Sequence, residues 1–164
     1  MAVETVSLPN GTCLEMEIVR HPGGAAVVAL NEQGQVCLLY QYRHALGGWL
    51  WELPAGKIET GESPLETACH ELEEEAGVHA GCWRELGSIV SSPGVFNERI
   101  HLFLATGLRE AAHEAEIHEV FERHWVPFGE ALAWARQGRI QDAKSVAALF
   151  RAREHVPPEF RNAG

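Results

Sequence analysis

The most restrictive feature of the sequence is an acidic segment with clear helix boundaries at both ends. Ser63 is a favourable N-cap, Pro64 suits the first helical position, and Glu66 completes a capping box with Ser63. Gly77 follows as a typical helix stop. The sequence therefore predicts a helix over residues 64–76.

Carboxylates crowd the end of this predicted helix, where four glutamates lie between positions 71 and 75. Because a helix turns by about 100° per residue, Glu71, Glu74 and Glu75 share one face and Glu73 points away. Like charges one turn apart repel each other. A divalent cation reverses that effect, since carboxylate oxygens are the ligands that Mg²⁺ prefers. The pattern indicates either a solvated acidic face or a metal-binding face.

The remaining pattern predicts strands around this helix and two further helices near the end of the chain. Few, late helices among many strands favour an α+β fold, specifically an α/β/α sandwich, over a regular βαβ series. The predicted strands are residues 3–8, 14–20, 25–30, 36–42, 50–53, 85–91, 100–105 and 118–127, and the predicted helices are residues 129–137 and 142–153.

Length and charge narrow the class of protein. The 164 residues suit one domain spanning 1–164, and no repeat or linker divides them. The formal net charge of −10 argues against non-specific binding to nucleic acid or to an anionic membrane. Without a signal-peptide pattern or a long apolar run, we expect a cytoplasmic protein. The four scattered cysteines lack a Cys-x-x-Cys pair, so we expect reduced core thiols.

Residues 56–78, GKIETGESPLETACHELEEEAGV, closely resemble the Nudix box, G-x5-E-x7-R-E-U-x-E-E-x-G-U, in which U is aliphatic. Eight of the nine defined positions match. The resemblance implies the Nudix fold, an α/β/α sandwich with a mixed sheet and a loop–helix–loop catalytic motif. It also implies hydrolysis of a nucleoside diphosphate linked to another group, with Mg²⁺, or alternatively Mn²⁺, as cofactor.

The one departure from the box is His70, which stands where the family has arginine. In the family that arginine orients the catalytic glutamates by ion pairing. An arginine is always charged and grips a carboxylate with two parallel hydrogen bonds, whereas a histidine offers at most one donor per nitrogen. We therefore assign His70 an orienting role that is weaker than that of arginine.

Three further segments resemble ADP-ribose pyrophosphatases and related nucleoside-diphosphate-sugar hydrolases. They are QYR at 41–43 with WELPAG at 51–56, a proline, Pro93, 16 residues after Gly77, and GRIQDAKS at 138–145. GDP-mannose-type hydrolases are similar in these features. The resemblance covers roughly residues 20–150, and it implies a nucleotide-sugar substrate.

The resemblance also implies the residues that act at the metal site. The implied metal ligands are the backbone carbonyl of Ala55 and the carboxylates of Glu71, Glu74 and Glu75. Glu74 and Glu75 are thereby candidate catalytic residues. In the ADP-ribose branch a glutamate from the loop before the last strand often assists, and here either Glu114 or Glu116 is a candidate.

Four residues are candidates for substrate binding. Glu98 matches an acidic position that contacts the terminal ribose in relatives, and Arg43 is a candidate phosphate ligand. Trp49 and Trp51 are candidates either for stacking on adenine or for the core of a dimer.

Relatives of this type are usually homodimers in which the N-terminal strands, here within residues 1–20, pack across a two-fold axis and each site is completed by the partner. Competing functions are a Nudix-fold sensor that binds ADP-ribose without cleaving it, and hydrolysis of a dinucleoside polyphosphate or a damaged nucleoside triphosphate. Retention of every box glutamate favours an enzyme, since a sensor has no need of that repelling cluster.

Overall fold

The computed structural model describes residues 1–111 and 120–162. These residues form nine strands and three α-helices. The strands are β1 (Ala2–Ser7), β2 (Cys13–Ile18), β3 (Gly24–Ala29), β4 (Gln35–Arg43), β5 (Gly48–Glu52), β6 (Ala55–Lys57), β7 (Val78–Val90), β8 (Arg99–Glu110) and β9 (Phe121–Pro127), and the helices are α1 (Pro64–Glu71), α2 (Phe128–Gln137) and α3 (Ala143–Ala152).

The strands form three sheets within the described residues. β1 and β2 pair as a separate antiparallel hairpin around the turn predicted at Pro9-Asn10-Gly11. A four-stranded sheet has the order β6-β3-β8-β7, and a three-stranded sheet has the order β5-β4-β9. β3 and β8 are parallel while their other neighbours are antiparallel, so the larger sheet is mixed as predicted.

Strand β3 separates two hydrophobic cores, because successive side chains of a strand point to opposite faces. Ala26 and Val28 belong to the core that also contains buried residues of α2 and α3. Ala25, Val27 and Ala29 belong to the core on the side of α1. Helices therefore cover both faces of this sheet, and the predicted α/β/α sandwich is confirmed.

The helix predicted over residues 64–76 is present, but its last turn differs from an α-helix. Ser63 Oγ accepts a hydrogen bond from Glu66 N at 3.3 Å, and Glu66 Oε2 accepts one from Ser63 N at 2.7 Å, so the capping box is confirmed. After Glu71 the chain continues through a wider π-helical turn, Leu72–Ala76, and ends at Gly77 with φ of +68°. Such turns inside helices occur frequently at functional sites.

Two predictions of strand length were wrong. β7 begins at Val78, directly after the helix, rather than at residue 85, and β8 continues to Glu110 rather than ending at residue 105. The two strands pair with each other over most of their length, with an irregularity between Glu85 and Ser88. This cross-strand pairing extends them through residues whose individual strand propensity is low.

Two further features bear on earlier expectations. Cys37 is buried as expected, but Cys13 and Cys82 are exposed, because strand pairing turns them toward solvent. None of the helices within the described ranges combines the length and apolarity needed to span a membrane.

Candidate functional site

Two adjoining cavities lie on either side of strand β6 and share its three residues as a common wall. One has a volume of about 390 Å³ and the other of about 400 Å³. We name the first the cationic cavity, because Arg43, Lys57 and Lys144 outnumber its two carboxylates, Glu98 and Asp142. We name the second the acidic cavity, because its lining includes Glu59, Glu62, Glu71 and Glu74 with Lys57 and His70.

The acidic cavity is built from the end of α1 and from β6. Glu75 lies beside it with 2% of its surface exposed, and its Oε2 accepts a hydrogen bond from Ala55 N at 2.7 Å. Gly56 lies so close to Glu71 that a Cβ atom at position 56 would be 1.6 Å from Glu71 Oε1. Since glycine has no side chain, it leaves the space in which the Glu71 carboxylate lies.

The predicted metal ligands are thus gathered around Ala55 and Gly56, and their oxygen atoms are those that a hard divalent cation prefers. Within residues 1–111 and 120–162, no three acidic, histidine or cysteine side chains already form a group that could hold a metal ion. The residues fit a divalent cation by the chemistry of their donor atoms, although those atoms do not form a ligand group in the described part of the chain.

Glu73 is separate from this group, as the helical pattern predicted. Its Oε1 lies 2.5 Å from His79 Nδ1, and both side chains are partly exposed. Glu73 does not line the acidic cavity, whereas Glu71 and Glu74 do. The structure therefore separates one glutamate of the run from the other three.

His70 contacts Glu62, another residue of the Nudix-like motif. The distance between His70 Nδ1 and Glu62 Oε1 is 2.9 Å, and the His70 side chain is 57% exposed. The hydroxyl of Thr67 donates to the other Glu62 oxygen at 2.8 Å, and this bond is the main cause that lowers the pKa of Glu62. The orienting role of His70 toward the other glutamates stays a prediction.

In the cationic cavity, Arg43 is held by a buried carboxylate that the sequence interpretation overlooked. Arg43 Nε and Nη2 donate to the two oxygens of Glu52 at 2.7 and 3.0 Å. Lys144 Nζ also donates to Glu52, and it lies 3.0 Å from Asp142 Oδ1. These four side chains form one charged network, which we call the Glu52 network.

The Glu52 network keeps Glu52 and Lys144 ionised in spite of their burial. Burial raises the pKa of Glu52, but the hydrogen bonds and charges of Arg43 and Lys144 outweigh it, so the pKa is lowered overall. Burial lowers the pKa of Lys144, and the charges of Asp142 and Glu52 outweigh it in the same way, so that pKa is raised overall. The cavity wall therefore carries fixed charges.

The start of α3 connects this network to the loop before β6. Asp142 is the N-cap of α3 and accepts hydrogen bonds from the backbone N and the hydroxyl of Ser145. The buried Ser145 hydroxyl in turn accepts a hydrogen bond from Leu53 N at 2.8 Å. The segments WELPAG and GRIQDAKS are therefore in direct contact. Both resemble segments of ADP-ribose pyrophosphatases.

Glu98, a candidate substrate-binding residue, lines the cationic cavity. His21 Nδ1 lies 3.4 Å from Glu98 Oε1 and also accepts a hydrogen bond from Gly23 N at 3.1 Å. A ring nitrogen that accepts a hydrogen bond carries no proton, so the contact between His21 and Glu98 is a close approach rather than an ion pair.

Trp49 and Trp51 line neither cavity. Both pack on Tyr40, with ring centroids 5.2 and 4.8 Å apart. Trp51 also contacts Trp134, over which Arg139 lies 3.6 Å from the ring centroid. In the described part of the chain these tryptophans form an aromatic cluster on the three-stranded sheet.

The remaining predicted features are Pro93, Glu114 and Glu116. Pro93 lies in an exposed turn after β7, near Ser91, which lines the cationic cavity. The predicted assisting residues, Glu114 and Glu116, lie outside the described residues.

The residues of this site lie within a segment that matches a known protein family. The model of the NUDIX domain matches residues 20–149. The chain belongs to the NUDIX domain family. The match includes every residue that lines the two cavities, since their lining extends from His21 to Lys144.

Individual relatives agree with this assignment. An ADP-ribose pyrophosphatase of Mycobacterium tuberculosis is 38% identical over 150 residues, which cover 90% of this chain and 72% of that protein. A methanol dehydrogenase activator of Bacillus methanolicus is 40% identical over 151 residues, which cover 91% of this chain and 82% of that protein. The crystal structure of an ADP compounds hydrolase has the same fold, with a TM-score of 0.79 and 23% identity over 98% of this chain and 95% of that one.

These matches confirm the resemblance to the Nudix superfamily and to its ADP-ribose pyrophosphatase subgroup. The prediction of an enzyme of the Nudix pyrophosphatase class is confirmed at the level of the family.

Proposed function

We propose that this protein hydrolyses the diphosphate bond of ADP-ribose or of a related nucleoside diphosphate sugar, giving a nucleoside monophosphate and a sugar phosphate. The observation that carries the proposal is the shared wall of the two cavities. Cations predominate on one side of β6, and the glutamates of the Nudix box lie on the other. A diphosphate bound along β6 would therefore lie between cationic side chains and a metal-binding face.

We assign the metal site to the carbonyl of Ala55 and the carboxylates of Glu71, Glu74 and Glu75, with Mg²⁺ as the preferred ion and Mn²⁺ as a substitute. When bound, such an ion supplies charge neutralisation on the phosphates and lowers the pKa of water. Gly56 supports this assignment because it leaves space for Glu71. The hydrogen bond from Ala55 N also holds the Glu75 carboxylate beside the predicted carbonyl ligand.

The charged residues of the cationic cavity have separate proposed roles. Arg43 binds a phosphate oxygen, and the Glu52 network fixes its guanidinium so that little side-chain entropy is lost on binding. Glu98 accepts hydrogen bonds from ribose hydroxyls. Glu114 or Glu116 takes the proton of the attacking water as the water oxygen bonds to one phosphorus. The bond between that phosphorus and the bridging oxygen breaks, and the other phosphate leaves with the bridging oxygen.

The similarity to the Mycobacterium tuberculosis ADP-ribose pyrophosphatase supports ADP-ribose as the first substrate to test. The decisive experiment incubates the purified protein and Mg²⁺ or Mn²⁺ with ADP-ribose, ADP-glucose, GDP-mannose, NADH and diadenosine polyphosphates. A coupled phosphatase then measures the released monophosphates. We expect ADP-ribose or another nucleotide sugar to rank first. Absence of hydrolysis across the panel, together with measurable ADP-ribose binding, would contradict the enzyme and support a sensor.

We also propose that residues 1–164 form one Nudix domain, that the protein acts in the cytoplasm and that it is a homodimer. The four free cysteines support a reducing compartment. The separate β1–β2 hairpin supports the dimer, because an isolated two-stranded hairpin is marginally stable in water and gains stability by packing. Exposed apolar side chains on this hairpin include Val3 and Leu14.

A further inference from the structure

A cation from strand β9 reaches the end of the glutamate-bearing helix. Arg123 Nε donates a hydrogen bond to the backbone carbonyl of Glu75, with a distance of 2.6 Å. The guanidinium also lies against Gly77, where a Cβ atom would be 2.7 Å from Arg123 Nη1. The close approach of the guanidinium therefore depends on glycine at position 77.

The bonded carbonyl is one that a helix cannot satisfy by itself. The last four carbonyl groups of a helix lack an intrahelical donor, and they form the negative end of the helix dipole. Because the π-helical turn ends at Ala76, the carbonyl of Glu75 belongs to this set. A guanidinium at this position supplies both a donor and a favourable charge.

Glu75 is thereby held at two points. Its carboxylate accepts from Ala55 N on one side, and its backbone carbonyl accepts from Arg123 on the other. The charges of Arg123 and Glu75 both act on the buried Cys37 thiol, although burial is the main cause that raises its pKa to about 12. Both residues therefore lie near Cys37, with Glu75 buried and Arg123 exposed.

His70, on the helix itself, contacts Glu62 through its ring. We propose that Arg123 is a positioning residue, which fixes the backbone of Glu75 from β9 and so sets the geometry of the metal-binding face. This inference rests on the proposed function for the identity of that face. It concerns the affinity for the ion before substrate binds, so it is testable without turnover.

The test measures Mn²⁺ binding to the protein without substrate, by electron paramagnetic resonance of the unbound ion. Arg123→Met should weaken Mn²⁺ binding about tenfold, the lower end of the effect of losing a supporting contact at a metal site. Arg123→Lys keeps the charge and should lie between wild type and Arg123→Met. The matched control is Arg161→Met, because Arg161 Nε donates to the Val156 carbonyl at 2.7 Å, away from both cavities.

Equal Mn²⁺ affinity in folded Arg123→Met, Arg161→Met and wild type would overturn the inference. If Arg123→Met does not fold, Arg123→Lys is compared with Arg161→Lys, and equal affinities again overturn it. Hydrolysis of the nucleotide panel by wild type is measured in parallel. A wild type that cleaves nothing contradicts the proposed function, whereas unchanged Mn²⁺ binding in an otherwise active protein contradicts the role of Arg123 alone.

Discussion

The carboxylate of Glu71 occupies the space that a side chain at Gly56 would need, since a Cβ atom there would lie 1.6 Å from Glu71 Oε1. Gly56 does not have a positive φ angle, so an alanine at this position would clash with a side chain but would not strain the backbone. The end of a flexible side chain can move away at small cost. The clash therefore displaces a predicted metal ligand without unfolding the protein.

Gly56→Ala should accordingly reduce turnover about 100-fold while changing the free energy of unfolding by about 1 kcal/mol or less. Steady-state kinetics and urea denaturation measure the two effects separately. Gly48→Ala is the matched control, because a Cβ atom at position 48 meets nothing within 4 Å. Equal activity of the two variants would show that the position of Glu71 has no effect on hydrolysis.

Glu75→Gln should lower turnover by about 100-fold or more, the effect of losing about 3 kcal/mol of transition-state stabilisation. Glutamine keeps an oxygen that can accept from Ala55 N, so the fold should persist. Glu73→Gln is the control, because Glu73 contacts His79 and lies outside the acidic cavity. Circular dichroism and kinetics of both variants test this, and full activity of Glu75→Gln would refute its assignment as a metal ligand.

His70→Arg should lower the Mg²⁺ concentration required for half-maximal activity by up to about tenfold. An arginine offers several donors in a fixed plane, and the exposed position of His70 leaves room for the longer side chain. His79→Arg is the matched control, because its side chain is 53% exposed and also contacts a glutamate, Glu73. A metal titration in which His70→Arg requires as much Mg²⁺ as wild type would count against an orienting role.

Glu52→Gln should destabilise the protein by about 2–3 kcal/mol at neutral pH, because it removes the charge that Arg43 and Lys144 share. The folded-state pKa of Glu52 is lowered from its ordinary value of 4.5. The stabilisation is therefore complete above pH 4.5 and is lost as the pH falls through the folded-state pKa. The difference in the free energy of unfolding between wild type and Glu52→Gln should therefore become smaller in that acidic range.

Urea denaturation of both proteins across that pH range measures how this difference in the free energy of unfolding changes. The control is Glu4→Gln, which breaks the exposed pair of Glu4 with Arg20 and should change stability little. If the difference in the free energy of unfolding between wild type and Glu52→Gln stays constant as the pH falls, the charge of Glu52 does not account for the stabilisation.

Leu14→Asp should convert the proposed homodimer to a monomer with little effect on the rest of the fold. Leu14 pairs with Val6 across the separate hairpin and is 37% exposed. Burying an aspartate at an apolar interface without a partner is costly. Sedimentation equilibrium should give twice 18.1 kDa for wild type and 18.1 kDa for the variant. A wild type that sediments as a monomer would refute the dimer.

Local sequence signals predicted the elements that depend on local contacts. The start of α1 was predictable because Ser63 and Glu66 bond each other over three residues, and the stop was predictable because Gly77 adopts a positive φ. The wider turn at Leu72–Ala76 was not predictable, since a regular helical period assigns those residues to an ordinary α-helix. Glu71 and Glu74 nevertheless line the same cavity, and the metal-binding face of the three glutamates stays a prediction.

Long-range contacts account for what the sequence interpretation missed. Glu52 bonds Lys144 across 92 positions of the chain, and Arg123 reaches Glu75 across 48. No periodicity or spacing rule connects residues that far apart. The packing of Trp49 on Tyr40 is likewise a contact between strands that the sequence did not indicate, and its roles in adenine stacking or in a dimer stay predictions.

The three-residue wall between the cavities also has a consequence for the design of inhibitors. A molecule that reaches both cavities must cross Ala55–Lys57, so its middle has to be narrow enough to pass along a strand backbone. Its two ends need opposite chemistry, an anionic group for the side of Arg43 and a metal-chelating group for the side of Glu71. Joining two weak fragments across β6 would then gain affinity through their effective concentration.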